Sequence, residues 1–320
     1  MKLSTNLRHL LPTALVLASG AAIAQSGVTI SGSLDVGVFR DKASMTNLGT
    51  IKRSHLQFDG TEDLGGGLTA TFKLRQRLDV DTGALEGAGT KPAWHGETTV
   101  GLKGGFGALR LGRAVDAIQS NDWAFDAWDN FSRIASPAWD LWHWNYSADP
   151  AGGGSGRVAN AVFYDSAKFA NFSAHLSYSP EKPADAVGTT RAGALVYNDG
   201  RTRAMLGAGK NSAGAKETSL GLRSRFADLT LMGMYNVSES AAGSEAKVTT
   251  LGATYALGAT TLKAGWGSAD VDGVKKQRVV SVGANYALSK RTSVYVDVAS
   301  KRYITDGTKQ VYGVGLTHNF

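Results

Sequence analysis

Lys73, Arg75 and Arg77 stand two residues apart. On an extended strand that spacing projects all three from one face, with Phe72, Leu74 and Leu78 on the other. A row of cations needs no nucleophile to act: it concentrates anions in the water beside it. The same alternation puts Arg53, Arg110, Arg223, Arg225 and Lys263 on a matching face. A second concentration lies between residues 114 and 156, which do not alternate at all. It holds Asp116, Asp122, Asp126, Asp129, Asp140 and Arg133, and five of the seven Trp: Trp123, Trp128, Trp139, Trp142 and Trp144. Phe125, Phe131 and Tyr146 lie among them. Acids facing the basic rows would set up a transverse field. The indoles would either pack this long segment against a wall or a subunit interface, or stack on sugar rings or aromatic solutes.

Other chemistries find little support. The six His show no metal-ligand spacing, and the absence of Cys removes disulfides and thiolate sites. No cofactor is implied, and the acids of residues 114–156 form no calcium-loop motif. Gly207-Ala-Gly-Lys210 is followed by Asn211, where a phosphate-binding loop needs Ser or Thr. Glu62 and Asp63 are adjacent and point apart. Ser54 with His55, and Ser173 with His175, are the pairs a barrel hydrolase would need. A formal charge of +7 and a pI near 9.5 raise the question of nucleic acid. The basic residues are spread along the chain without a dense block, which argues against it.

The elements that must position these residues are strands. From Val28 onward, segments of about ten residues alternate: Val28, Ile30, Leu34, Val36 and Val38 against Thr29, Ser31, Ser33 and Asp35; Val294, Val296 and Val298 against Ser293, Asp297 and Ala299. About sixteen such segments begin near residues 28, 52, 67, 96, 107, 157, 170, 190, 201, 216, 228, 247, 259, 277, 291 and 310. A soluble sandwich also alternates, but would carry larger residues inside; Gly, Ser, Thr, Arg and Lys suit a wet bore. Turning the face of Lys73, Arg75 and Arg77 to hydrocarbon would cost ~2–4 kcal/mol per cation near the midplane. The fold expected is therefore an all-β, transmembrane, antiparallel barrel. Tight turns at Leu64–Gly67, Asp199–Gly200 and Leu257–Ala259 alternate with longer links, such as Ser238–Lys247 and Ala269–Gln277. The C-terminus, Tyr312 to Phe320, ends on an aromatic suited to a lipid interface. At the other end, Lys2 and Arg8, an apolar run from Leu10 and Ala22-Ile23-Ala24 read as a signal peptide cleaved after Ala24, leaving one domain over 25–320.

Several motifs, in order along the chain, resemble those of the Gram-negative general diffusion porins. Ser54-His-Leu-Gln-Phe-Asp-Gly-Thr-Glu-Asp-Leu-Gly-Gly-Gly-Leu68 is similar to that family's second strand, first tight turn and third-strand start. Phe106-Gly-Ala-Leu-Arg-Leu-Gly-Arg113 and Arg157-Val-Ala-Asn-Ala-Val-Phe-Tyr-Asp-Ser166 resemble the strands flanking its long third loop. Tyr286-Ala-Leu-Ser-Lys-Arg-Thr292 and Leu316-Thr-His-Asn-Phe320 resemble its last turns and ending. The resemblance implies a homotrimer of sixteen-stranded barrels in outer-membrane lipid, with the third loop folded into the lumen as a constriction. It implies Phe320 as the signal to the barrel-assembly machinery, and passive passage of small hydrophilic solutes. The basic rows add an expected mild anion selectivity. The tryptophan density keeps open a channel selective for sugars or aromatic anions, and a barrel acting as adhesin or wall element is a third reading.

Overall fold

A strand leaves backbone donors and acceptors along both edges, and a closed barrel pairs every edge. The computed structural model describes residues 27–86, 91–150, 156–184 and 186–320. The expected signal segment, residues 1–24, lies outside the described residues. Sixteen long strands run antiparallel in chain order: β1 (Gly27–Arg40), β2 (Ser54–Gly65), β3 (Leu68–Asp79), β4 (Glu97–Gly104), β5 (Gly107–Val115), β6 (Arg157–Ser166), β7 (Phe172–Tyr178) and β8 (Arg191–Asn198). The second half holds β9 (Thr202–Lys210), β10 (Lys216–Phe226), β11 (Leu229–Glu239), β12 (Glu245–Leu257), β13 (Thr260–Val271), β14 (Val274–Ala287), β15 (Thr292–Tyr303) and β16 (Gly307–Asn319). Every expected start falls within three residues of an observed one.

The first strand closes the barrel by splitting its partners. Gly27–Ser33 pairs with β2, and Ser33–Arg40 pairs with β16 from Asn319 back to Tyr312. Gly32 and Phe320 exchange both backbone hydrogen bonds at 3.1 Å, so the terminal residue is zipped into the seam. Outward positions are apolar and exposed, among them Leu206, Leu220, Leu222, Leu251, Val282 and Val314. Phe106, Phe172, Phe226, Tyr255, Tyr286 and Phe320 sit beside the short turns at one rim. This is the apolar belt and aromatic girdle of a barrel in lipid.

The loops differ from expectation in two places. Ser238–Lys247 is mostly paired strand, its link only residues 240–244. Ala269–Gln277 is not a long link: β13 and β14 run on to Val271 and Val274 and turn over Asp272-Gly273 alone. Both residues have positive φ (50° and 79°), the geometry of a tight hairpin that Asp-Gly adopts readily. Long connections at that rim are confined to the first half of the barrel, the longest being residues 116–156.

Candidate functional site

The segment after β5 folds back against the inner wall. It forms a short helix (Gln119–Asp122), a single 3₁₀ turn (Trp123–Phe125) and a second short helix (Pro137–Leu141). Ser136 caps the second helix, its Oγ accepting from the Trp139 N–H at 3.1 Å, with Pro137 at the first helical position. Ile118, Phe125, Trp128, Leu141 and Trp142 are buried against Val196, Met205, Met232, Met234, Val248, Val279 and other inward residues of β8–β16. Glycine makes the approach possible. A Cβ at Gly221 would lie 2.5 Å from the Phe125 ring, and one at Gly265 would lie 2.8 Å from Trp128.

Polar anchors fix the register. Asp297, buried on β15, accepts from Trp128 Nε1 (2.8 Å) and from Ser132 Oγ (2.7 Å). Trp142 Nε1 donates to Thr250 Oγ1 at 3.0 Å. His143 sits between Glu217 (2.7 Å) and Asp122 (3.0 Å). Burial works against charge on this imidazole, but the two carboxylates outweigh it and hold its pKa well above the usual histidine range. Burial lifts Asp122 to about 6 against the His143 hydrogen bond, and lifts Asp116 to about 7. Lys301 pairs with Asp140 at 2.6 Å and donates to the Arg133 carbonyl at 3.0 Å.

The expected opposition of loop acids to wall cations is only partly realised. Asp126 spends one oxygen on the Trp128 and Asn130 N–H groups and Ser136 Oγ, a local turn-forming role. Asp116 accepts from the Gln119 N–H, and Asp122 and Asp140 are paired as above. Asp129 alone of the five lines the cavity of about 360 Å³ that also holds Lys52, Arg53, His55, Arg75, Arg77 and Lys263. The basic rows have other partners, on the wall and on the β3–β4 connection. Lys73 lies 3.6 Å from Asp59 and 3.9 Å from Glu97, and Arg110 bridges Glu97 (2.7 Å) and Asp165 (3.0 Å). Arg75 donates to Gln57, and Arg77 and Arg133 both lie 3.6 Å from Glu86. Arg223 and Arg225 take the inner face of β10, with Leu222 exposed outside.

The five indoles of this segment have different surroundings. Trp128 and Trp142 pack on the wall, Trp144 is exposed, and Trp123 and Trp139 line open space within the loop. Ser173 Oγ lies 2.9 Å from His175 Nε2, and His175 Nδ1 lies 2.7 Å from Asp165. Asp165 also binds Arg110, which ties this relay into the wall's charge network. Sequence reasoning missed Lys52, held over the Tyr295 ring at 3.5 Å, and Asp35, which positions it. The Asp35 carboxylate accepts from the Ile51 and Lys52 N–H groups, Tyr295 OH and Thr317 Oγ1. Its inward parity was visible; its partners, 16 and 17 residues away for Ile51 and Lys52 and 260 and 282 for Tyr295 and Thr317, were not.

The Gram-negative porin family model matches residues 12–319. Outer membrane porin protein 32 of Delftia acidovorans is 32% identical over 241 residues, 72% of this chain and 66% of that protein. The major outer membrane protein P.IB of Neisseria meningitidis serogroup B is 29% identical over 184 residues, covering 52% of this chain and 53% of the relative. The chain thus spans between about half and two-thirds of the length of these curated relatives. Among solved structures, the anion-selective porin from Comamonas acidovorans superposes with a TM-score of 0.79 at 25% identity, over 92% of this chain and 100% of that one. A family match over nearly the whole length, on a closed barrel with an apolar outer belt, makes this chain an outer-membrane β-barrel of the Gram-negative porin family.

Proposed function

We propose that the barrel is a water-filled channel through which small hydrophilic solutes diffuse passively, with a mild preference for anions, and that it performs no catalysis. The observation that carries the reading is the cavity between wall and loop, where five cationic side chains (Lys52, Arg53, Arg75, Arg77 and Lys263) meet the single carboxylate of Asp129. Fixed charge of one sign in a confined aqueous passage raises the local concentration of counter-ions and lowers their barrier. The solved porin it resembles is itself described as anion-selective. In this reading residues 116–149 form the constriction, with Asp129, Trp123 and Arg133 nearest the water. Asp116, Asp122, Asp126 and Trp128 hold its shape, and Lys73, Arg110, Arg223 and Arg225 extend the positive wall. The reversal potential across a planar bilayer under a salt gradient tests this: anion preference is expected, and cation preference would overturn it.

The mature chain of this proposal is residues 25–320, assembled as a homotrimer in outer-membrane lipid. Phe320 serves as the element read by the barrel-assembly machinery, and its backbone pairing with Gly32 is the final closure that reading requires. Mass measurement of the folded protein in detergent distinguishes one copy from three.

A further inference from the structure

A second cavity, of about 270 Å³, lies between the loop and the start of β6. Its lining combines two guanidinium groups, Arg53 and Arg157, with the indoles of Trp123, Trp139 and Trp142 and the amide of Asn130. Arg157 is 7% exposed, and its Nε donates to the Gly96 carbonyl at 2.8 Å. Its Nη2 is buried with no acceptor, as is Arg53 Nε, while the Asn130 side-chain oxygen is buried with no donor. The Arg53 guanidinium lies 4.5 Å from the centroid of the Trp139 ring, so one cation is already stacked on one indole. The acid best placed to serve these cations, Glu86, is engaged with Arg77, Lys91, His95 and Arg133.

Buried donors without acceptors are costly, and a guanidinium fork matches a planar oxyanion. Indole faces match a flat apolar ring. An inorganic anion would satisfy the donors and leave the cavity side of the three lining indoles uncovered. A sugar would stack but bring no charge to the guanidinium groups. We propose that this cavity is a retention subsite for small aromatic carboxylates of benzoate size, lying along the channel of the previous subsection, on which it rests. The carboxylate engages Arg157 and Arg53, the ring lies among Trp123, Trp139 and Trp142, and the solute dwells there before passing on.

The test uses the full-length folded protein. Benzoate, cyclohexanecarboxylate, acetate and benzyl alcohol are each added to channels in planar bilayers bathed in KCl, with block normalised to the open current of the same channel. Benzoate is expected to reduce the current saturably, and the other three to act only at concentrations about tenfold higher. Trp139→Leu and Arg157→Gln are each expected to raise the half-blocking benzoate concentration about tenfold. Equal effects of benzoate and acetate, equal effects of benzoate and cyclohexanecarboxylate, or block that survives Trp139→Leu would overturn the subsite and leave the channel reading intact. A protein that passes no KCl current would overturn the channel reading instead. Calorimetric titration of benzoate into the detergent-solubilised protein then decides the subsite by itself: saturable heat supports it and none refutes it.

Discussion

Removing the Asp297 carboxylate should free the loop without unfolding the barrel. Asp297 receives Trp128 Nε1 at 2.8 Å and Ser132 Oγ at 2.7 Å, both in a buried setting. A hydrogen bond to a charged group contributes about 1.5–3 kcal/mol, so Asp297→Ala removes about 3–6 kcal/mol of anchoring from residues 126–136. At 1.4 kcal/mol per decade, that raises the population of the detached loop by about 10²–10⁴. The strand pairing of β15 with β14 and β16 uses only backbone groups and is untouched. Hydrogen exchange of the detergent-solubilised protein, resolved by segment, is the direct assay. Exchange should accelerate across residues 126–136 and stay unchanged across β10–β16. Asp297→Asn, which keeps one acceptor oxygen, should fall between the variant and the native protein. Unchanged exchange in the loop of Asp297→Ala would refute the anchoring argument, and so would uniform acceleration over the whole barrel.

Four further expectations rest on separate contacts. Gly221→Ala places a methyl 2.5 Å from the Phe125 ring; overpacking of about 1–3 kcal/mol should accelerate exchange around residues 123–127. Asp129→Asn removes the cavity's one acid; a unit charge roughly 6 Å from a permeating ion is worth about 0.7 kcal/mol at the dielectric of water, with opposite sign for anion and cation, so the anion-to-cation permeability ratio should rise about tenfold by reversal potential. His143 binds its proton more tightly in the folded loop than in the unfolded chain. Its contribution is therefore full below the ordinary value of 6.5 and is lost as pH rises through the elevated folded value; loop protection, corrected for intrinsic exchange, should fall on alkalinisation, and His143→Gln should remove that dependence. Deleting Phe320 removes both hydrogen bonds to Gly32 and should lower the yield of heat-resistant folded barrel, measured by gel mobility of unheated samples.

The barrel was legible because its code is local. Alternation at period two assigns a face to each residue without knowledge of any partner, which is how Lys73, Arg75 and Arg77 are set on the face opposite Phe72 and Leu74. The loop was legible only as an interruption of that code. Nothing in the spacing of Asp122, His143 and Glu217 says that one imidazole will lie between two carboxylates, because Glu217 belongs to a strand 74 residues beyond the histidine. The same holds for Asp297 and Trp128, 169 residues apart. The Asp272-Gly273 turn failed for the opposite reason. Its signal is local, but the charged residues around it mimic a loop, whereas they pair across strands that project past the others.

One part of the docking was nonetheless present in the sequence, in the sizes of inward residues. On β2–β5 the inner face carries His55, Gln57, Asp59, Lys73, Arg75, Arg77, Glu97 and Arg110. On β9–β14 it carries Met205, Gly207, Gly209, Ser219, Gly221, Met232, Met234, Gly252, Gly265, Gly267 and Gly283, with Arg203, Glu217, Arg223, Arg225 and Lys263 toward the strand ends or between them. Long charged side chains need water around their heads, so the first wall must stay wet. Gly, Ser and Met leave room between the charged residues for a second layer. The loop supplies that layer, packing Phe125, Trp128, Pro137 and Leu141 onto the small residues. In the proposed channel the space left beside the loop is bordered by Lys52, Arg53, Arg75, Arg77 and Lys263. On the proposed function, selectivity is set as much by the glycines that admit the loop on one side as by the arginines on the other. Filling the glycine wall would push the aromatic layer inward and close the passage, even with every basic residue left in place.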